Sequence, residues 1–132
     1  MIRKSHNNKT FGEISGRYWS RVKKNAKRIN VEISVSIEEA WDIFLKQEGK
    51  CAYSGLKITH EKYSKIMNKR SFYNLGTASL DRKNSDLGYT KNNIQWVHKD
   101  VNFMKMDFKE CYFLKLCKLI AKQTKRESLK CL

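Results

Sequence analysis

Proline is absent from this 132-residue chain and glycine is scarce, with six. Turns must therefore be made mostly by Asn, Asp and Ser, and the missing proline points to no function of its own. The four cysteines, Cys51, Cys111, Cys117 and Cys131, form no Cys-x-x-Cys pair, so no zinc knuckle is legible and no structural zinc is expected. No signal peptide and no apolar run of spanning length is visible, which argues against a membrane role and for a reducing, cytoplasmic setting. Acidic residues are also few. Thirteen Asp and Glu stand against 28 Lys and Arg, a net charge of +15.

So large a basic excess calls for a polyanionic partner, most often nucleic acid, with a merely basic or ribosome-associated protein as the plainer alternative. The length suits one domain with a modest core. We read residues 1–10 as a basic arm, 11–124 as the single domain and 125–132 as a basic tail.

Apolar residues at helical spacing predict a first helix over Ile14–Ile29, with Tyr18, Val22, Ala26 and Ile29 on one face and Arg17, Arg21 and Lys24 among the basic residues elsewhere. Those cations form either a solvated face or one that tracks phosphates. Ser36-Ile37-Glu38-Glu39 is a capping box that starts a second helix through about Gln47, with Ile37, Ala40, Trp41, Phe44 and Leu45 facing inward. Cys51–Thr59 has Ser54-Gly55 between two short apolar pieces and reads as a small hairpin. His60–Gly76 is basic and aromatic, and Lys69 and Arg70 there are candidates for backbone contact. A last helix over Phe108–Lys122, capped by Asp107, is expected to close the core with Phe108, Tyr112, Leu116, Leu119 and Ile120, and to bury Cys111 and Cys117.

The most informative stretch is Ala78–Met106. Ala78–Arg82 alternates as a half-buried strand does, a polar turn follows through Asn84, Ser85, Asp86 and Gly88, and Ile94–Val97 reads as a second strand. From about His98 the spacing becomes helical. His98 and Asn102 are four apart and would share a helix face able to meet Asp81. A carboxylate, an amide carbonyl and an imidazole suit a hard divalent cation. An ion-paired Asp and a solvated Asn are the simpler account of the same residues.

Ser79-Leu80-Asp81-Arg82, Gly88-Tyr89, Asn93 and Trp96-Val97-His98-Lys99-Asp100-Val101-Asn102 together resemble the ββα-metal core of HNH-type endonucleases. Ser15-Gly16-Arg17-Tyr18-Trp19, Ala40-Trp41 and Gly49–Gly55 are similar to small phage or homing-type members, so the resemblance spans about Phe11 to Cys117. It implies an α+β fold, with a ββα-metal core at about 78–106 and flanking helices at both ends. It implies a metal-dependent endonuclease that nicks or cuts double-stranded DNA, working as monomer or homodimer in the cytoplasm, that of a host cell if phage-encoded. A DNA-binding relative that keeps the fold without catalysis is the alternative.

The resemblance assigns Asp81 and Asn102 as ligands of one Mg2+ or Mn2+ ion, with His98 either a third ligand or the general base. Many HNH enzymes carry His after the strand Asp; here Arg82 stands there, always protonated and fit to clamp a phosphate. Tyr89 and His60 are the other candidates for the base, and Asn93 supports the hairpin. Lys83, Lys91 and Lys105 join the α-helical Arg17, Arg21 and Lys24 as expected DNA contacts.

Overall fold

The computed structural model describes residues 9–60 and 76–124. The expected arm up to residue 8, the segment 61–75 with Lys69 and Arg70, and the tail from 125 lie outside them. The fold is α+β: a β-hairpin and a following helix, flanked by helices on both sides in the chain.

Helix α1 is Gly16–Arg28, started by Ser15, whose hydroxyl accepts from the Tyr18 amide at 3.1 Å. Trp19, Val22 and Ala26 are buried, and Arg17, Arg21 and Lys24 are exposed. Helix α2, Ile37–Lys46, opens on the capping box: Ser36 Oγ accepts from Glu39 N and Glu39 accepts from Ser36 N. It buries Ala40 and Phe44, whereas Leu45, expected inside, is exposed. Between the two helices, Ile33 forms a single parallel bridge to Tyr89. After α2, Lys50 and Lys57 bridge across a tight turn in which Cys51 N donates to Leu56 O and Gly55 N to Cys51 O.

Strands β1 (Ala78–Arg82) and β2 (Ile94–His98) pair antiparallel, with Leu80 opposite Trp96 and Asp81 opposite Gln95. Alternation gives the hairpin two faces. Ala78, Leu80, Ile94 and Trp96 face the main core. Trp96 is fully buried and donates its indole N–H to Ala40 O at 2.7 Å. Ser79, Asp81, Gln95 and Val97 make the other face, where helix α3 (Lys99–Lys105) packs against both strands.

A two-stranded sheet leaves both outer edges without strand partners. Here other parts of the chain supply them: Gln47 at the end of α2 both donates to Trp96 O (2.8 Å) and accepts from Trp96 N (2.9 Å), while Tyr18 Oη accepts from Leu80 N at 2.9 Å. The hairpin is thereby bound to α1 and α2 by backbone groups as well as by packing.

Helix α4, Glu110–Gln123, departs from expectation. Its start is Lys109, with no side-chain cap, rather than Asp107. Phe113 alone is buried, against Tyr53, and the expected core stripe turns outward: Phe108, Tyr112, Leu119 and Ile120 are exposed. Cys111 is exposed and Cys117 only partly covered, so neither is the buried thiol expected. Among the described residues, no helix is long and apolar enough to cross a membrane.

Candidate functional site

The junction of β1, β2 and α3 collects the polar residues of the buried hairpin face. Asp81 is 3 % exposed, and both of its oxygens are engaged. Oδ1 receives the Lys105 ammonium at 2.9 Å, and Oδ2 accepts from Gln95 Nε2 at 3.0 Å and from Tyr53 Oη at 3.4 Å. Burial, then the adjacent Asp81 charge, raises the Tyr53 phenol well above its ordinary value, so this hydroxyl keeps its proton and donates. Lys105 is fully buried and also donates to Arg82 O at 2.8 Å. An ammonium removed from water needs such oxygen partners. Lys105, expected on the DNA-facing surface, is therefore an interior residue.

Asn102 enters the same junction from α3. Its Nδ2 donates to Ser79 Oγ at 2.8 Å and to Leu80 O at 3.3 Å. The amide is thus fixed on the strand that carries Asp81, one residue away along the backbone. Ser79 and Asp81 share a hairpin face, so the sequence pattern Ser-x-Asp on the strand and Asn-x-x-Lys on the helix builds this cluster.

His98 is not part of it. The helix begins at Lys99, and His98 is its N-cap in extended backbone, with Nδ1 accepting from Asp100 N at 3.1 Å. The i,i+4 relation to Asn102 holds only when both residues are helical, and here one is not. In the register, His98 lies opposite Ala78, on the hairpin face away from Asp81.

Arg82, Tyr89 and Asn93 organise the β1–β2 loop. Arg82 folds back so that Nη1 donates to Ser85 O (2.6 Å) and Leu87 O (2.9 Å), with its guanidinium 5.3 Å from the Tyr89 ring centre. Tyr89 is buried; its Oη accepts from Asn25 Nδ2 at 3.3 Å, and its backbone meets Glu32, Ser34 and Val35. Asn93 spans the loop, donating to Asn84 O and Gly88 O and accepting from Asn84 N. Lys83 and Lys91 are exposed on the same loop.

His60 sits among Tyr18, Trp41, Phe44 and Trp96, on the opposite side of the hairpin from Asp81. Its buried Nε2 has no hydrogen-bond partner among the described residues, and desolvation lowers its pKa from 6.5 to about 4. Cys51 is also buried. Burial pushes its thiol up, but hydrogen bonds led by Ser54 bring it below its ordinary value.

Among the described residues, no three His, Cys, Asp or Glu side chains gather closely enough to hold a metal ion. The cation-binding oxygens at the junction are instead the Asp81 carboxylate and the Arg82 carbonyl, with the Asn102 amide bound to the same strand. Their chemistry fits a cation that prefers oxygen, and Asp81 and Arg82 already bind a positive charge. Sequence reasoning singled out Asp81 and Asn102 but missed that Lys105, one turn beyond Asn102, shares their side of α3. The i,i+3 spacing was the available signal. Compared with known protein families, with curated proteins and with solved structures, the chain finds no match in any of the three.

Proposed function

We propose that this chain is a divalent-metal-dependent endonuclease of the HNH kind, acting on double-stranded DNA. The observation that carries the reading is the junction itself: a ββα unit whose strand carboxylate, Asp81, already holds a positive charge, and whose helix residue Asn102 is bound to the same strand at Ser79 and Leu80. The net charge of +15 supports a polyanionic substrate.

Asp81 and Asn102 would hold the metal, Asp81 through an anionic oxygen and Asn102 through its neutral amide carbonyl. A bound divalent ion supplies Lewis-acid stabilisation of charge on the phosphate and the leaving oxygen. Gln95 and Tyr53 hold Asp81 Oδ2 and so fix the carboxylate's orientation. Ser79 and Leu80 hold the Asn102 amino group, which turns the carbonyl end of that amide away from them. Exposed Arg17, Arg21 and Lys24 on α1, with Lys83 and Lys91 on the hairpin loop, are the backbone contacts of this proposal. Tyr89 is buried, His60 lies across the hairpin from Asp81 with its Nε2 covered, and His98 lies off the Asp81 face. None of them touches the junction in this arrangement.

A binding module without catalysis is the second reading, favoured by the closure of Asp81 beneath Lys105 and the folding of Arg82 onto its own loop. Relaxation of a supercoiled plasmid separates the two. With Mg2+ or Mn2+ the purified chain should relax the plasmid, and chelation or Asn102→Ala should abolish this. Salt-sensitive duplex binding with no relaxation, on plasmids of diverse sequence, would favour the binding module.

A further inference from the structure

The Lys105–Asp81 pair has an unusual setting. A lysine that merely packs its stem can send its ammonium to water, yet this one is wholly covered. The neighbours on either side, Met104 and Met106, are 61 % and 70 % exposed, so solvent lies close to the backbone that carries it. Helix α3 ends just after Lys105, at Met106, whose φ is +51°. The lysine therefore stands in the last turn, beside a point where the chain changes direction.

The two acceptors of the ammonium are the same kind of oxygens that a hard divalent ion takes: one carboxylate oxygen and one backbone carbonyl. Asn102, one helical turn earlier, reaches the same strand. Asp81 is 3 % exposed and would be an uncompensated buried charge without a cation. A second cation placed against Oδ1 beside the ammonium would meet like-charge repulsion in a poorly solvated site. Occupancy by one excludes the other.

We propose that Lys105 is the internal stand-in for the divalent ion: its ammonium and the metal compete for Asp81, and loading the site drives Lys105 out toward solvent. This rests on the endonuclease reading for the identity of the competing ion. It assigns Lys105 a regulatory role, keeping the metal-free chain folded and its carboxylate neutralised.

The test is Mn2+ binding to the full chain without DNA, by calorimetry and by the electron paramagnetic resonance of free Mn2+. Wild type, Lys105→Met and Asp81→Asn are compared. If the ammonium holds the carboxylate most of the time, Lys105→Met should bind Mn2+ about tenfold or more tightly than wild type, because the competent fraction rises. Asp81→Asn should lose the site. Equal affinity in wild type and Lys105→Met, no binding to either, or a Mn2+ site that survives Asp81→Asn would overturn the proposal. Should Lys105→Met be unfolded without metal, Mn2+ added during refolding must restore the circular dichroism of the native chain; failure to do so would also overturn it. Cleavage is a separate readout. A chain that exchanges Lys105 for Mn2+ but never relaxes a plasmid loses the endonuclease reading and keeps the exchange, and the converse result does the opposite.

Discussion

At the scale of single residues, the environment of a side chain decided its role more than its type did. His60 is an ordinary candidate base by residue type. Its ring lies within 4.6 Å, centre to centre, of both Phe44 and Trp96, where a charged imidazolium is poorly solvated. The pKa is lowered from 6.5 to about 4 in the folded chain, so the two states differ in proton uptake only between those values. Above pH 6.5 both folded and unfolded chains hold His60 neutral and its contribution to stability is complete. As pH falls from 6.5 toward 4 the unfolded chain takes up a proton that the folded chain refuses, and stability drops. For a half-buried ring the loss discounts to roughly 2 kcal/mol by pH 4.5. Urea midpoints of wild type and His60→Phe at pH 7.5 and 4.5 measure it, because the two proteins differ only at this ring. Parallel losses in the two proteins would show that His60 is not desolvated. Lys105 is interior for the complementary reason: lysine is rarely buried, and here the Asp81 carboxylate and the Arg82 carbonyl across the junction hold its ammonium. Asp81 and Asn102 were brought to one strand–helix junction, while His98 was separated from them by a helix that starts one residue later.

At the scale of elements, the capping box of α2 and the limits of β1 were legible, because both follow from local chemistry and period-two patterning. Helix α4 was legible as a helix but not in its facing. Periodicity shows that an apolar stripe exists, not which side finds a partner, and here Phe113 is the buried residue. The hairpin loop shows a different limit. Gly88 reads as a turn glycine, yet its need is spatial: a Cβ built there would lie 2.3 Å from Glu32 O, backbone that cannot swing aside. The Tyr89 amide donates to that same oxygen at 2.7 Å, and this close approach ties the loop to the segment before α2. Gly55 is the contrast, with φ at +70° and open space where a Cβ would stand. Gly88→Ala should therefore cost about 2–3 kcal/mol through overpacking, and Gly55→Ala about 1 kcal/mol through backbone strain. Urea unfolding of both variants gives the ordering. A Gly88→Ala protein no less stable than Gly55→Ala would mean that the loop does not lie against Glu32.

At the scale of the whole molecule, charge and architecture meet along α1. Its buried side holds Trp19, Val22 and Ala26, and its other side exposes Arg17, Arg21 and Lys24. The helix is fastened to the hairpin at two points, by Tyr18 Oη on Leu80 N and by Asn25 on Tyr89 Oη. Basic residues on α1 and on the loop that carries Lys83 and Lys91 are thus held on one framework with the junction, although they lie far apart in the chain. Under the proposed duplex binding, each phosphate neutralised would release counterions, so the slope of log affinity against log salt would count the contacts. Replacing Arg17, Arg21 and Lys24 together by Gln removes no buried side chain, although Arg21 lies over the Tyr18 ring at 5.6 Å. If each meets one phosphate, the slope should become shallower by about 2–3. Fluorescence anisotropy of a labelled duplex across a range of salt concentrations reads this directly, and the unchanged melting temperature of the triple variant serves as the control. A slope equal to that of wild type would identify the α1 face as merely solvated and leave Lys83 and Lys91 on the hairpin loop as the contacts of the proposed binding.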